Sequence, residues 1–190
     1  MDVRLRTERL TLRRFTPADL DALALLHGDP AVMRYIDDGR PVAREVVAER
    51  TLPALLAEYR ELPAGLGCWA AVERAGGEFA GWFALRPAHS VGLAGGIELG
   101  YRLRPARWGL GYGGEGARAL VDSAFAELGA ERVVATTMAV NAASRRVMEK
   151  AGLRYVRTFF EEWPEYLEGA EHGDVEYAVS RAEWTATRKS

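Results

Sequence analysis

Residues 97–128, IELGYRLRPARWGLGYGGEGARALVDSAFAEL, decide the reading of the whole chain. Residues 97–103 are branched and aromatic enough for a strand, and Pro105 ends it. The segment WGLGYGGEG follows from Trp108, with five glycines between Gly109 and Gly116. Ala117, Leu120, Val121, Ala124, Phe125 and Leu128 then recur at helical spacing. The order is therefore strand, glycine turn, helix. Such a turn leaves backbone N–H groups unpaired and uncovered by side chains, while the helix dipole adds positive potential. It suits a phosphate or pyrophosphate.

From the residues alone, more than one use of that turn is open. Gly109, Gly111 and Gly114 satisfy the dinucleotide pattern GxGxxG. A dinucleotide site should also end its next strand in an acidic residue that binds ribose. Here residues 132–140 form that strand, and they run out in Met138-Ala139-Val140-Asn141 without a carboxylate. The turn also lies past the middle of the chain. A turn that merely packs a helix close to a sheet is the plainer reading.

Working outward, residues 10–15 alternate as a first strand, and Thr16 with Pro17 and Asp19 opens a helix carrying Leu20, Leu23 and Leu26. Asp29-Pro30 starts a short helical turn with Met33, Tyr35 and Ile36. Residues 44–59 read as a further helix with Pro53 as a kink or a true start. Residues 67–73 and 79–85 form a hairpin around Ala75-Gly76-Gly77. Beyond the glycine turn come the strand 132–140, the helix 142–151 closed by Gly152, the strand 153–160, a polar loop 161–174 and the strand 175–180. This order specifies one α/β domain over residues 1–190, a mixed sheet with helices on both faces.

At 190 residues the chain can bury a full core, and 48% hydrophobic with 27% charged residues is an ordinary globular balance. A net charge of −2 gives no general pull toward nucleic acid or anionic membrane. No apolar run approaches the roughly 18–20 residues that span a bilayer, and MDVRLRTERL lacks a signal peptide's apolar core. A cytoplasmic protein is expected. Cys68, the single cysteine, excludes an internal disulfide and reads as a small buried strand residue. His27, His89 and His172 have no metal-ligand spacing, so no metal is expected.

Trp108 to Gly113 resembles the acetyl-CoA pyrophosphate loop of the GNAT (Gcn5-related) N-acetyltransferase superfamily, Gln/Arg-x-x-Gly-x-Gly/Ala. Trp108 stands at the Gln/Arg position, and Gly111 and Gly113 stand at the small ones. Trp-Gly-x-Gly-Tyr preceded by Glu-x-Gly-Tyr is similar to the RimJ/RimL-like branch, as is Asn141-Ala142-Ala143-Ser144 followed by Glu149-Lys150-Ala151-Gly152-Leu153. The resemblance runs from about Thr7 to Trp184. It implies the acyl-CoA N-acyltransferase fold, a mostly antiparallel sheet of about seven strands. It also implies direct transfer of an acetyl group from acetyl-CoA to a primary amine, on a protein N-terminus or a small molecule. A non-catalytic acyl-CoA-binding sensor or partner module is the alternative, since fold alone does not separate the two.

The resemblance assigns the pyrophosphate to Trp108, Gly109, Leu110, Gly111, Tyr112, Gly113 and Gly114. The pantetheine arm goes to the strand edge of Tyr101, Arg102 and Leu103, and to Asn141 and Ser144. Arg102, Arg104, Arg107 and Arg118 are the nearby cations; one or two could reach the 3′-phosphate or pyrophosphate, and each could equally be solvated surface. A base is needed, because amines are protonated at neutral pH. Glu98, three residues before the thioester edge, is the candidate; it could instead face solvent or pair with Arg102 on the same strand face. Asn141 could equally be a simple helix N-cap. Ser144 is the candidate donor to the CoA sulfur. Many superfamily members carry a tyrosine acid where this chain has Met148, so either Ser144 substitutes or the thiolate leaves without a protein acid.

Between residues 158 and 180 the chain carries Glu161, Glu162, Glu165, Glu168, Glu171, Asp174 and Glu176 without a lysine or arginine, interleaved with Phe159, Phe160, Trp163 and Tyr166. In the resembled arrangement this loop lies at the acceptor entrance, where it would attract a cationic acceptor. Its other readings are a solvated loop, or a homodimer contact with Arg4, Arg6, Arg9, Arg13 and Arg14.

Overall fold

A computed structural model describes residues 2–160 and 167–188. Its strands are β1 (Val3–Arg6), β2 (Leu10–Arg14), β3 (Gly67–Glu73), β4 (Phe79–Pro87), β5 (Ile97–Leu103), β6 (Arg132–Met138), β7 (Arg154–Phe159) and β8 (Asp174–Ser180). They form one eight-stranded sheet in the order β1-β2-β3-β4-β5-β6-β8-β7. Every neighbouring pair is antiparallel except β5–β6. The expected count of about seven misses β1, whose VRLR pairs with β2 through Val3↔Arg13 and Arg6↔Thr11. Four residues half of which are arginines carry too little apolar signal to announce a strand.

The helices are α1 (Leu20–His27), α2 (Pro30–Met33), α3 (Arg44–Val46), α4 (Leu52–Glu61), α5 (Tyr112–Ala126), α6 (Ala142–Lys150) and α7 (Arg181–Thr187). Between α3 and α4 the turns widen into a π-helical stretch, Val47–Thr51, just before Pro53. A proline has no N–H for the regular ladder, so the disturbance falls there. Thr16 does open the first helical region, through a 3₁₀ turn. The Asp19 carboxylate accepts from the Thr16 N–H at 2.8 Å and pairs with Arg13 at 2.6 Å.

Strand alternation divides the core in two. Leu12, Trp69, Phe83, Leu85, Leu99 and Leu103 face α5 and α6, whose Leu120, Val121, Phe125 and Met148 close that side. Cys68, Ala70, Trp82 and Ala84 face the opposite way and meet Leu23, Leu26, Val47, Leu52 and Leu55. Each fully buried Leu, Val or Phe contributes about 1.5–3 kcal/mol, so these two layers dominate stability. On β5 the same alternation sends Tyr101 toward α6, and Glu98, Gly100 and Arg102 toward α1 and α4.

Of the five arginines expected to meet an acidic loop across a homodimer contact, four have partners in their own chain. Arg4 pairs with Glu127, Arg9 with Glu115, Arg13 with Asp19 and Arg14 with Asp2, all within one chain. Glu176 is buried between Arg132 and Arg157, at 2.6 and 2.8 Å. Glu161, Glu162, Trp163, Glu165 and Tyr166 lie outside the described residues.

Close packing of α5 on the sheet yields a stability prediction. A Cβ added at Gly116 would sit 2.3 Å from Cζ of the fully buried Phe83. Gly116→Ala gains helix propensity of about 1 kcal/mol, but overpacking costs about 1–3 kcal/mol. Denaturant unfolding should therefore show a net loss of stability. A more stable variant would mean that the α5–β4 contact is looser than described.

Candidate active site

The site originates where the sheet comes apart. Strands β5 and β6 run parallel and pair only through Ile97↔Val133 and Glu98↔Val134. Beyond Glu98 they diverge, while the other edge of β5 stays paired to β4 as far as Leu103↔Gly81. Residues 99–103 thus keep an edge turned toward a gap. The gap opens into a cleft of about 620 Å³ whose walls include Tyr101, Arg102, Leu103, Trp108, Gly109, Gly111, Gly113, Gly114, Asn141 and Ser144. Most of the expected cofactor residues are thereby gathered around one cavity. Leu110 and Tyr112 belong to the same turn but do not line it.

Gly109 and Gly111 take left-handed φ values of +73° and +88°, and Gly111 is the N-cap of α5. The first bond of the helix is Glu115 N–H to the Gly111 carbonyl at 3.1 Å. The amides of Tyr112, Gly113 and Gly114 therefore have no carbonyl to bond within the helix. Gly113 and Gly114 meet α6 closely: an added Cβ would lie 2.9 Å from Val147 Cγ2 or 3.3 Å from Lys150 Cβ. Two further contacts fix the turn. The Trp108 indole N–H donates to the Leu103 carbonyl at 2.8 Å. Arg9 donates to the Leu110 carbonyl at 2.8 Å and stacks over Tyr112.

Asn141 holds the end of β6 to the start of α6. Its Oδ1 accepts from the Ser144 N–H at 3.2 Å, and its Nδ2 donates to Thr137 Oγ1 at 3.1 Å. It is an N-cap, as the plainer reading expects, and it also lines the cleft. Ser144 Oγ lies 2.8 Å from Tyr101 Oη, which donates to the Ser144 carbonyl at 2.9 Å. Burial raises the Tyr101 phenol above its ordinary range. Either hydroxyl can donate across the 2.8 Å contact; when Tyr101 gives its proton to Ser144 Oγ, the serine proton is left for the cleft.

Glu98 lies on the other face of β5 and does not line the cleft wall. It neither faces solvent nor pairs with Arg102: its cross-strand neighbour is Arg86. Arg86 in turn donates to Glu58 Oε1 at 2.8 Å. Glu98 Oε2 and Glu58 Oε2 are both buried without a hydrogen-bond partner among the described residues. Burial pushes the Glu98 carboxyl up to about 7; Arg86 opposes the shift, and Glu58 adds to it. A carboxyl poised there exchanges a proton near neutral pH.

The cations sort differently from the sequence reading. Arg107 reaches the cleft but is tied to Glu73 and Glu78, and Arg118 is spent on the Lys150 carbonyl. Arg104 contacts the Phe79 carbonyl, away from the cleft. Arg146 and Lys150 on α6, which were not expected, line the cleft and have no ion pair among the described residues. Their signal was present: residues 143, 146, 147 and 150 recur at one helical face. No group of three or more His, Cys, Asp or Glu suited to a metal occurs among the described residues. Among them, too, no helix is long and apolar enough to cross a membrane.

Comparison with known proteins bears on the family. Residues 9–154 match the acetyltransferase (GNAT) domain. The chain is 36% identical over 190 residues to an Aspergillus fumigatus protein named FsC-acetyl coenzyme A-N(2)-transacetylase, covering 97% of this chain and 79% of that protein. It superimposes on a GNAT-family acetyltransferase of Bacillus anthracis with a TM-score of 0.75, at 22% identity and 94% and 98% coverage of the two chains. Aminoglycoside acetyltransferase AAC(6')-Ib, solved with coenzyme A, shares the fold at a TM-score of 0.70, with 21% identity and 94% and 99% coverage. The split between β5 and β6, the glycine turn that opens α5 and the match over residues 9–154 agree: the chain belongs to the GNAT acetyltransferase family.

Proposed function

We propose that the protein transfers an acetyl group from acetyl-CoA to a primary amine by direct transfer, and that it belongs to the RimJ/RimL-like branch. The observation that carries this reading is the meeting, in one cleft, of the unpaired amides of the glycine turn and the free edge of β5. The name of the Aspergillus relative, which specifies transfer to a nitrogen, supports it. The branch assignment is supported by Trp108-Gly109-Leu110-Gly111-Tyr112 and Asn141-Ala142-Ala143-Ser144.

The residues present fit the cofactor. Backbone N–H groups of residues 110–114 suit a pyrophosphate, with Arg146 and Lys150 beside it. The open edge of residues 101–103 suits an extended amide-bearing arm, and an N–H on that edge polarises the thioester carbonyl. Acetyl-CoA supplies the acetyl group in thioester form. As the new N–C bond forms, the amine must lose a proton, and Glu98 takes it through water across the β5 face. As the C–S bond breaks, Tyr101 donates to Ser144 Oγ and the Ser144 proton is directed toward the sulfur. Met148 is buried in the core and takes no part. The GNAT fold and the α5 turn also suit a non-catalytic CoA sensor; the poised Glu98 favours the enzyme.

Three outcomes test this reading. Glu98→Gln should lower turnover about 10²–10⁴-fold with little change in CoA affinity by calorimetry, and Ser144→Ala should lower turnover more than affinity. Full activity in both variants would remove these residues from the mechanism.

The base works only when deprotonated, so kcat/KM should rise with pH through about 7. Glu58→Gln removes a neighbouring negative charge and frees Arg86 for Glu98, so the acid limb should move to lower pH. A limb that stays in place would assign it to another group.

Replacing Arg146 and Lys150 together with glutamine should weaken CoA binding about ten-fold and flatten its salt dependence. Unchanged affinity would place the phosphates elsewhere.

A further inference from the structure

Arg102 is set apart by its surroundings. It projects from β5 away from Tyr101 and Ser144, toward α1 and α2, and the residue is part of the cleft wall. Its Nη1 lies 3.1 Å from His27 Nδ1 and 3.3 Å from Met33 Sδ, and the guanidinium sits over the Trp82 ring at 5.3 Å. Its Nε is buried with no partner among the described residues. Burial and the adjacent Arg102 lower the His27 pKa to about 3, so the imidazole stays neutral and can only accept or donate as a dipole.

Among the described residues no carboxylate lies within ion-pair distance of Arg102; Asp37 attracts it only from farther off. Four other partly buried arginines each have a carboxylate: Arg13 has Asp19, Arg86 has Glu58, Arg107 has Glu73 and Arg132 has Glu176. A charge surrounded by an imidazole, a thioether and an indole face is costly to keep unless an anion completes it. A guanidinium is also the side chain best matched to a carboxylate, through two parallel N–H bonds.

The position favours a ligand. Val32, Tyr35 and Ile36 form an apolar wall of the cleft beside Arg102. Glu98 and Arg102 share one face of β5, about 13 Å apart along the strand, and Gly100 between them presents no side chain. The Glu98 carboxyl leans into that space, with Oε1 3.1 Å from where a Gly100 Cβ would be. We propose that Arg102 binds a carboxylate of the acceptor, so that the acceptor is an amine that also carries a carboxylate, of the amino-acid or peptide class. This rests on the acetyl-transfer reading and replaces the expected cationic acceptor. Of the acidic residues thought to form a rim, Glu176 is consumed inside the sheet and Glu168 pairs with Arg34.

Matched pairs of amines test it: lysine against cadaverine, tyrosine against tyramine, and a dipeptide against its C-terminal amide. Each is measured by calorimetric binding in the presence of CoA and by thiol release with acetyl-CoA. The carboxylated member of at least one pair should bind about 10- to 100-fold more tightly. Residue 102 offers the cofactor only its backbone, so Arg102→Gln should bring the two members to parity while CoA affinity stays within about two-fold, and Arg102→Lys should restore part of the preference. Equal binding within every pair, a preference that survives Arg102→Gln, or an equal loss of CoA affinity in that variant would overturn the proposal. Carboxylate-dependent binding without acetylation of any acceptor would support this site and overturn the acetyl-transfer reading instead.

Discussion

Two residue pairs hold the parallel contact between β5 and β6, and everything functional in this fold follows from its shortness. A parallel pair that continued would satisfy the backbone on both sides of residues 99–103 and leave no cleft. By diverging, the strands present a row of backbone groups that only a ligand or water can satisfy. The divergence is stable because both halves of the sheet are anchored independently. One half is held by β4 pairing along all of β5, the other by β8 pairing along all of β6. Helices α5 and α6 then bring the glycine turn and Ser144 to the two sides of the gap.

The two faces of β5 are chemically distinct, and the alternation of side chains makes them so. On one face Tyr101 and Ser144 join two hydroxyls at the cleft. On the other, Glu98 lies in register with Arg86, whose guanidinium is committed to Glu58. Burial, with a further push from Glu58 and against the pull of Arg86, raises the Glu98 carboxyl to about 7. Four residues farther along the same face, Arg102 has the converse problem, a positive charge held among neutral groups. A single strand thus carries both the proposed proton acceptor and the proposed anion anchor.

Much of this was legible in the sequence. The branched run and the Pro105 stop are enough to bound β5 at residues 97–103, and the periodic positions after the glycines mark the buried face of α5. Asn141 was legible as a cap because its residue type and place leave few alternatives. What stayed hidden depends on contacts between distant segments. Arg86 lies opposite Glu98 by hairpin register, which no local spacing reveals. Glu58 comes from a helix forty residues upstream, and Arg9 braces the glycine turn from the N-terminal segment. The solvated or dimer-paired fate expected for Glu176 fails because β8 lies inside the sheet, between β6 and β7, where two arginines reach it.

The account stands or falls on the gap between β5 and β6 as the place where the cofactor docks. Amide hydrogen exchange, read residue by residue with and without CoA, addresses that directly. The account predicts that CoA slows exchange at residues 101–103 and 109–114 together, with little change in β2, β3 and β8. Protection confined to another part of the sheet, or none at the glycine turn, would contradict it.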